Sequence, residues 1–129
     1  SMLCLYADAG TDKQKKYTIE HCKRILDDCV YGMPSLDPKH ESFESERYWR
    51  GPIWLIMNYM ILIGLENEKE YLLAKRIKDD TIKLTDVGGM FEYFDPLTGK
   101  GLGGKNFSWT AAIFLKLYRE NFDFQLFNN

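Results

Sequence analysis

One segment restricts the possible folds more than any other: Ile53-Trp54-Leu55-Ile56-Met57-Asn58-Tyr59-Met60-Ile61-Leu62-Ile63-Gly64-Leu65 is apolar at nearly every position. A helix with one apolar stripe lies on a core, but a helix that is apolar all round must be covered on every side. At about 13 residues the run is too short to span a bilayer, which takes about 20. The segment is therefore predicted to be a buried helix. Pro52 stands at its first turn, where a missing amide costs nothing. Gly64, just after Ile63, is placed to end it in a left-handed cap.

The flanking segments supply the cover. Thr11 or Asp12 can cap a helix running to about Val30, with Ile19, Cys22, Ile25, Leu26, Cys29 and Val30 on one face. Asn67 and Glu70 have capping-box spacing for a helix to about Leu84. It turns Leu72, Leu73, Ile77 and Leu84 inward and Lys69, Lys75, Lys78 and Asp79 outward. An all-apolar helix beside two-faced ones is what inner and outer helical layers produce. Gly32 to Glu46 reads as a long loop, a kind that is often functional. After Gly88-Gly89, Met90 to Phe94 is extended, with Asp95-Pro96-Leu97-Thr98-Gly99 as its turn and Gly101, Gly103 and Gly104 in the following loop. Ser108 caps a last helix from Trp109 to about Asn121, and the tail carrying Phe124, Leu126 and Phe127 is expected to pack down. The expected class is all-α, with about four helices and a short hairpin-like segment.

The net charge is -2, and no basic stripe is interleaved with aromatics, which argues against a nucleic-acid partner. No membrane span is expected. Cys4, Cys22 and Cys29 lack metal-knuckle spacing and have only His21 and His40 to assist them, so neither a metal nor a cofactor is expected and the thiols read as reduced and buried. No basic, apolar, small-residue leader is visible, which leaves the compartment open with the cytoplasm favoured.

Eight Phe, eight Tyr and three Trp make aromatics 15% of the chain, and many of them fall in irregular segments that abut helix starts. Residues 43–54, 88–104 and 107–112 can meet at one end of a helical bundle. That would gather Tyr48, Trp49, Arg50, Trp54, Asn58, Glu92, Tyr93, Asp95 and Trp109 around one cleft. The mixture suits a sugar, whose C–H faces stack on rings and whose hydroxyls need donors and acceptors. Cleaving an acetal then takes two carboxyl groups, one to protonate the leaving oxygen and one to activate water. Glu92 is the first candidate, in an extended segment between Met90 and Phe94, whose apolar side chains would raise its proton affinity. Each residue also has a plainer reading. Glu92 could be a surface hairpin residue, Asp95 turn chemistry and Arg50 a helix-start salt bridge, while the tryptophans could be core. Asn58 needs a partner that is either backbone or a ligand hydroxyl.

Tyr48-Trp49-Arg50-Gly51-Pro52-Ile53-Trp54, followed by Asn58-Tyr59 and Gly64-Leu65, resembles a segment of glycoside hydrolase family 63. That family includes processing α-glucosidases and mannosylglycerate or glucosylglycerate hydrolases, with family-37 trehalases as relatives. Gly89-Met90-Phe91-Glu92-Tyr93-Phe94-Asp95-Pro96-Leu97-Thr98-Gly99, Phe107-Ser108-Trp109-Thr110-Ala111-Ala112 and Tyr31-Gly32-Met33-Pro34-Ser35 are similar to further blocks of the family, in its order. The resemblance implies an (α/α)6 barrel and inverting hydrolysis of α-linked glucosides or mannosides. It puts Glu92 in the place of the general base, Tyr48, Trp49, Arg50 and Trp54 in the sugar pocket and Trp109 at its rim. The general acid of such enzymes is an aspartate in an earlier motif that is not found here. Twelve helices require roughly 300 residues or more, so residues 1–129 are expected to be the C-terminal portion of the barrel. Exposed flanks of the helix that begins at Pro52 would then favour self-association.

Overall fold

In the computed structural model, which describes residues 2–127 and the side chains of residues 2–120, the chain runs α1 (Leu3–Tyr6), α2 (Asp12–Asp27), α3 (Leu55–Asn67), α4 (Tyr71–Gly88), β1 (Phe91–Phe94), β2 (Gly101–Lys105) and α5 (Ser108–Phe127). A capping box starts α2: the Thr11 hydroxyl accepts from the Gln14 amide at 3.4 Å, and the Gln14 side chain accepts from the Thr11 amide at 2.9 Å. Its Cys22, Ile25 and Leu26 enter the core. Burial pushes the Cys22 and Cys29 thiols up to about 12, so both stay protonated. The helix stops at Asp27, short of Val30, and the Arg76 guanidinium donates to the freed Cys29 carbonyl at 3.2 Å.

Helix α3 packs against α1, α4 and α5, and none of residues 55–65 is exposed. It begins at Leu55 rather than Pro52 because Ile53 is drawn into an antiparallel bridge, exchanging hydrogen bonds of 2.7 and 2.9 Å with Phe94. Gly64 does not end it. It lies buried within the helix, where a Cβ would stand 2.6 Å from the Tyr6 amide nitrogen, so its smallness admits α1. The helix runs on to Asn67, and the left-handed turn that stops it is at Lys69, whose φ is 63°. The Lys69 amide donates to Glu66 O at 3.0 Å and the Glu70 amide to Leu65 O at 2.8 Å, the pattern of a Schellman motif. Glu70 caps α4 without a side-chain bond, so the expected capping box is not formed. Ala74, Ile77, Thr81 and Leu84 of α4 are buried, while Lys75 and Asp79 face out.

Strands β1 and β2 are antiparallel, pairing Phe91 with Lys105, Tyr93 with Leu102 and Phe94 with Gly101. Between the first two pairs Glu92 opposes both Gly103 and Gly104, a bulge in which Gly103 takes φ 73°. The Phe107 amide bonds Met90 O at 3.0 Å, and the Thr110 hydroxyl donates to Phe91 O at 2.6 Å, which fixes the start of α5 to the hairpin. The helix continues past Asn121, and the expected packing of Phe124, Leu126 and Phe127 lies outside the described side chains.

The class is helical with a short hairpin, and the helices form an open arc rather than a closed ring. The expected exposed flanks of α3 are not found. Exposed apolar side chains lie on α4 and α5 instead: Leu72, expected to face inward, is 87% exposed at the first turn of α4, and Trp109, Leu115 and Tyr118 of α5 are each more than half exposed. No helix among the described residues is long and apolar enough to cross a membrane.

Candidate active site

The long loop between α2 and α3 is pinned at both ends by side chains. At its start the Gly32 amide donates to the Asp80 carboxylate at 3.0 Å. The Met33 amide donates to Asn58 Oδ1 at 2.8 Å, and Asn58 Nδ2 donates to Met33 O, also at 2.8 Å. A Cβ on Gly32 would sit 2.5 Å from Asn58 Oδ1, so the closeness of the contact requires glycine. Further along, the Ser35 amide bonds Pro52 O at 3.0 Å, and the Ser35 hydroxyl accepts from the Gly51 amide at 3.1 Å. Residues 44–50 close on themselves: the Glu44 amide bonds Arg50 O at 2.8 Å, and the Glu44 carboxylate takes Arg47 and Arg50 at 3.2 and 3.1 Å.

This closed loop, Trp54 at the start of α3 and Tyr93 of β1 bring together four rings. Trp49 and Trp54 stack with centroids 4.3 Å apart and planes 9° apart, and Trp54 stacks on its other side with Tyr93 at 5.1 Å. Tyr48 meets Trp54 and Tyr93 edge-on at 4.9 and 5.4 Å. Trp54 Nε1 donates to Tyr48 O at 3.2 Å, which holds Tyr48 at φ 34°, outside the usual range for a side-chain-bearing residue. Trp54 is 4% exposed, whereas Trp49 and Tyr48 are 49% and 48% exposed, so the outer two rings offer the free surface. A cavity of about 350 Å³ is lined by Trp49 and Trp54 together with Met33, Leu36, Asp37 and His21. Burial works against the Asp37 carboxylate, but the Lys39 amide, the Arg24 guanidinium and His21 outweigh it and hold its carboxyl below the usual range.

Glu92 is half-buried on the hairpin beside Tyr93, and its Oε2 accepts from the Gly104 amide at 3.1 Å. A Cβ on Gly103 would come within 2.7 Å of that oxygen and 2.6 Å of the Tyr93 ring. The bulge is thus a glycine cradle for both side chains. Phe94 is fully buried, Met90 is half-buried, and Glu92 does not line the cavity.

The structure therefore gathers Tyr48, Trp49, Trp54 and Tyr93, while Glu92 is next to Tyr93 in sequence and has the Gly104 amide as its hydrogen-bond partner. Arg50 lies in the same loop and is ion-paired with Glu44, away from any helix start. Asn58 is fully buried, and its partners are backbone groups of Met33 and Trp54. Asp95 accepts from the Leu97 amide at 2.8 Å and from Ser45 at 3.4 Å, the turn chemistry of its plainer reading. Trp109 stands apart from the four rings, against Phe107 at 5.7 Å. Asp80 was not foreseen. Its signal is positional, because it falls three residues after Ile77 and four before Leu84, on the buried stripe of α4, where an acid requires partners.

Residues 1–110 match the mannosylglycerate hydrolase MGH1-like glycoside hydrolase domain. Mannosylglycerate hydrolase MGH1 of Selaginella moellendorffii is 46% identical over 113 residues, which are 88% of this chain and 23% of that protein. The mannosylglycerate hydrolase of Thermus thermophilus is 41% identical over 109 residues, 83% of this chain and 26% of that protein. The crystal structure of a GH63 mannosylglycerate hydrolase from Thermus thermophilus in complex with glucose superposes with a TM-score of 0.84 at 38% identity, over 89% of this chain and 30% of that one. The chain thus spans about a quarter of the length of the curated relatives it matches, and the open arc corresponds to part of an (α/α) toroid.

Proposed function

Because the chain belongs to the mannosylglycerate hydrolase MGH1-like glycoside hydrolase domain family, we propose that it carries the water-activating side of an inverting hydrolase of α-linked glucosides or mannosides, with Glu92 as the general base. The observation that carries this reading is the placement of Glu92. A half-buried carboxylate is held by the Gly104 amide, next in sequence to Tyr93, which stacks into the Tyr48–Trp49–Trp54 cluster. The neighbouring carboxylates are committed elsewhere: Glu44 to Arg47 and Arg50, Glu46 to Lys100, and Asp95 to its own turn.

In the proposed reaction the Glu92 carboxylate removes a proton from water, and the water oxygen bonds to the anomeric carbon. The bond to the leaving oxygen breaks as a carboxylic acid outside this chain protonates it. In an inverting pair the two carboxyl groups stand about 6.5–9.5 Å apart, which leaves room for the water. Trp49 and Tyr48 present ring surface to the sugar, and the Glu44 ion pair orients Arg50 at the same loop. Asn58 acts through the loop rather than on the sugar.

In the full-length enzyme that contains this chain, Glu92→Gln is expected to lower kcat by roughly 10²–10⁴-fold with little change in KM, the usual contribution of a general base. Unchanged kcat would remove Glu92 from that role. Those commitments also favour a second reading of the 129-residue chain taken alone, as a sugar-binding segment without turnover. Release of glucose from an α-glucoside by that chain would overturn it.

A further inference from the structure

The groups that seat Gly32 and Met33 also bear on the aromatic stack. We propose that Asp80 and Asn58 are positioning residues that set the Trp49–Trp54 geometry through Ser35, a role assigned to neither by anything in the sequence motif itself. Two successive amides of the loop are held by two different helices. Asp80 of α4, 8% exposed, takes the Gly32 amide, and Asn58 of α3, fully buried, takes both backbone groups of Met33. Asp80 is itself fixed by the Arg76 guanidinium at 2.6 Å, which also reaches Cys29 O, so the end of α2 and the start of the loop share one anchor.

Two residues on, Ser35 makes two bonds to the far end of the same loop, to Pro52 O and from the Gly51 amide. Gly51 and Pro52 stand between Trp49 and Trp54 in sequence. Any shift of Met33 is therefore carried through Ser35 to the segment that joins the two indoles. Asn58 Nδ2 also approaches Trp54 O at 3.4 Å, so one amide touches both ends of the relay. Removing either partner leaves a buried loop amide unsatisfied, a cost that a shift of the loop would relieve.

The functional meaning of this arrangement rests on the sugar reading above, but its geometry does not, and the test separates them. Stacked indoles give an exciton couplet in far-ultraviolet circular dichroism, assigned here by its loss in Trp49→Phe. In the 129-residue chain Asp80→Ala, which removes the acceptor of the Gly32 amide, and Asn58→Asp, which sets a carboxylate oxygen against Met33 O, are each expected to lose most of the couplet at a temperature where helix content is that of the parent. Asp79→Asn, an exposed neighbour, should keep it. Ser35→Ala, which leaves the helical core untouched, should weaken the couplet without lowering the melting temperature, and it decides the matter if the buried variants fail to fold. A full couplet in the folded variants, or in Ser35→Ala when those do not fold, would reduce Asp80 and Asn58 to stabilising roles and overturn the proposal. Titration with glucose, followed by tryptophan fluorescence, is scored apart: couplet loss without any glucose response in the parent upholds the positioning role and counts against the sugar reading.

Discussion

The aromatic loop and the glycine hairpin, which carry the proposed sugar-facing rings and the proposed base, are built by different means. The loop from Gly32 to Trp54 has no helix or strand of its own: turn-type backbone bonds such as Glu44 amide to Arg50 O close its middle, and the side chains of Asp80, Asn58 and Ser35 anchor its two ends. The hairpin is held by its own ladder, and its special feature is a missing side chain, at Gly103 and Gly104, which lets a backbone amide reach Glu92. A loop held by side chains can present large rigid rings, because each anchor comes from the helical core. A strand pair held by backbone can place one carboxylate closely, because nothing stands between it and the amide.

That contrast is tested most severely at Asn58. Asn58→Ala strands the buried amide and carbonyl of Met33 and is expected to cost roughly 2–5 kcal/mol, read from urea unfolding. The Gly104 amide should keep its protection from hydrogen exchange under native conditions. Equal loss of protection in loop and hairpin would show a single structural unit rather than two. On the other side, Gly103→Ala combines a positive φ with contacts to Tyr93 and Glu92, and about 1–3 kcal/mol of destabilisation is expected. Its distinguishing effect is release of Glu92, seen as a changed Gly104 amide resonance while the Trp49–Trp54 couplet persists.

The smallest effect is one of pH. Because the Asp37 carboxyl is held below its ordinary range, the stability it adds is present above the unfolded value of about 3.9. It is lost as pH falls through the folded value, and neutral pH is unaffected. Acid should therefore loosen the 33–39 segment, and Asp37→Asn should remove that part of the acid dependence. A tryptophan signal with the same acid midpoint in both proteins would contradict it.

Much of this was legible in advance. The apolar run from Ile53 to Leu65 predicted a covered helix, Thr11 its neighbour's start, and the order of the aromatic and glycine blocks the family. Where the reading failed, a local rule lost to a distant contact. Gly64 has the composition of a helix end, yet it is needed for its size under α1. Pro52 suits a first turn, yet Ile53 gains two hydrogen bonds from Phe94, which no helix could offer at that point. Residues 3–9 carry too little pattern to announce α1, and glycines at 101, 103 and 104 disguise β2, since ladder bonds need no side chain.

What the sequence determined by itself is which residues must be buried and which segments must turn, because periodicity, capping and backbone freedom act over a few neighbouring residues. Only the tertiary structure decided that Trp54 lies between Trp49 and Tyr93, that Asn58 serves the loop and that Asp80 belongs to the same network. Those outcomes depend on partners 25 to 48 residues away, or 39 in the case of Tyr93 and Trp54. A polar group's need for a partner is written in its residue type, but the identity of that partner exists only once the helices have packed.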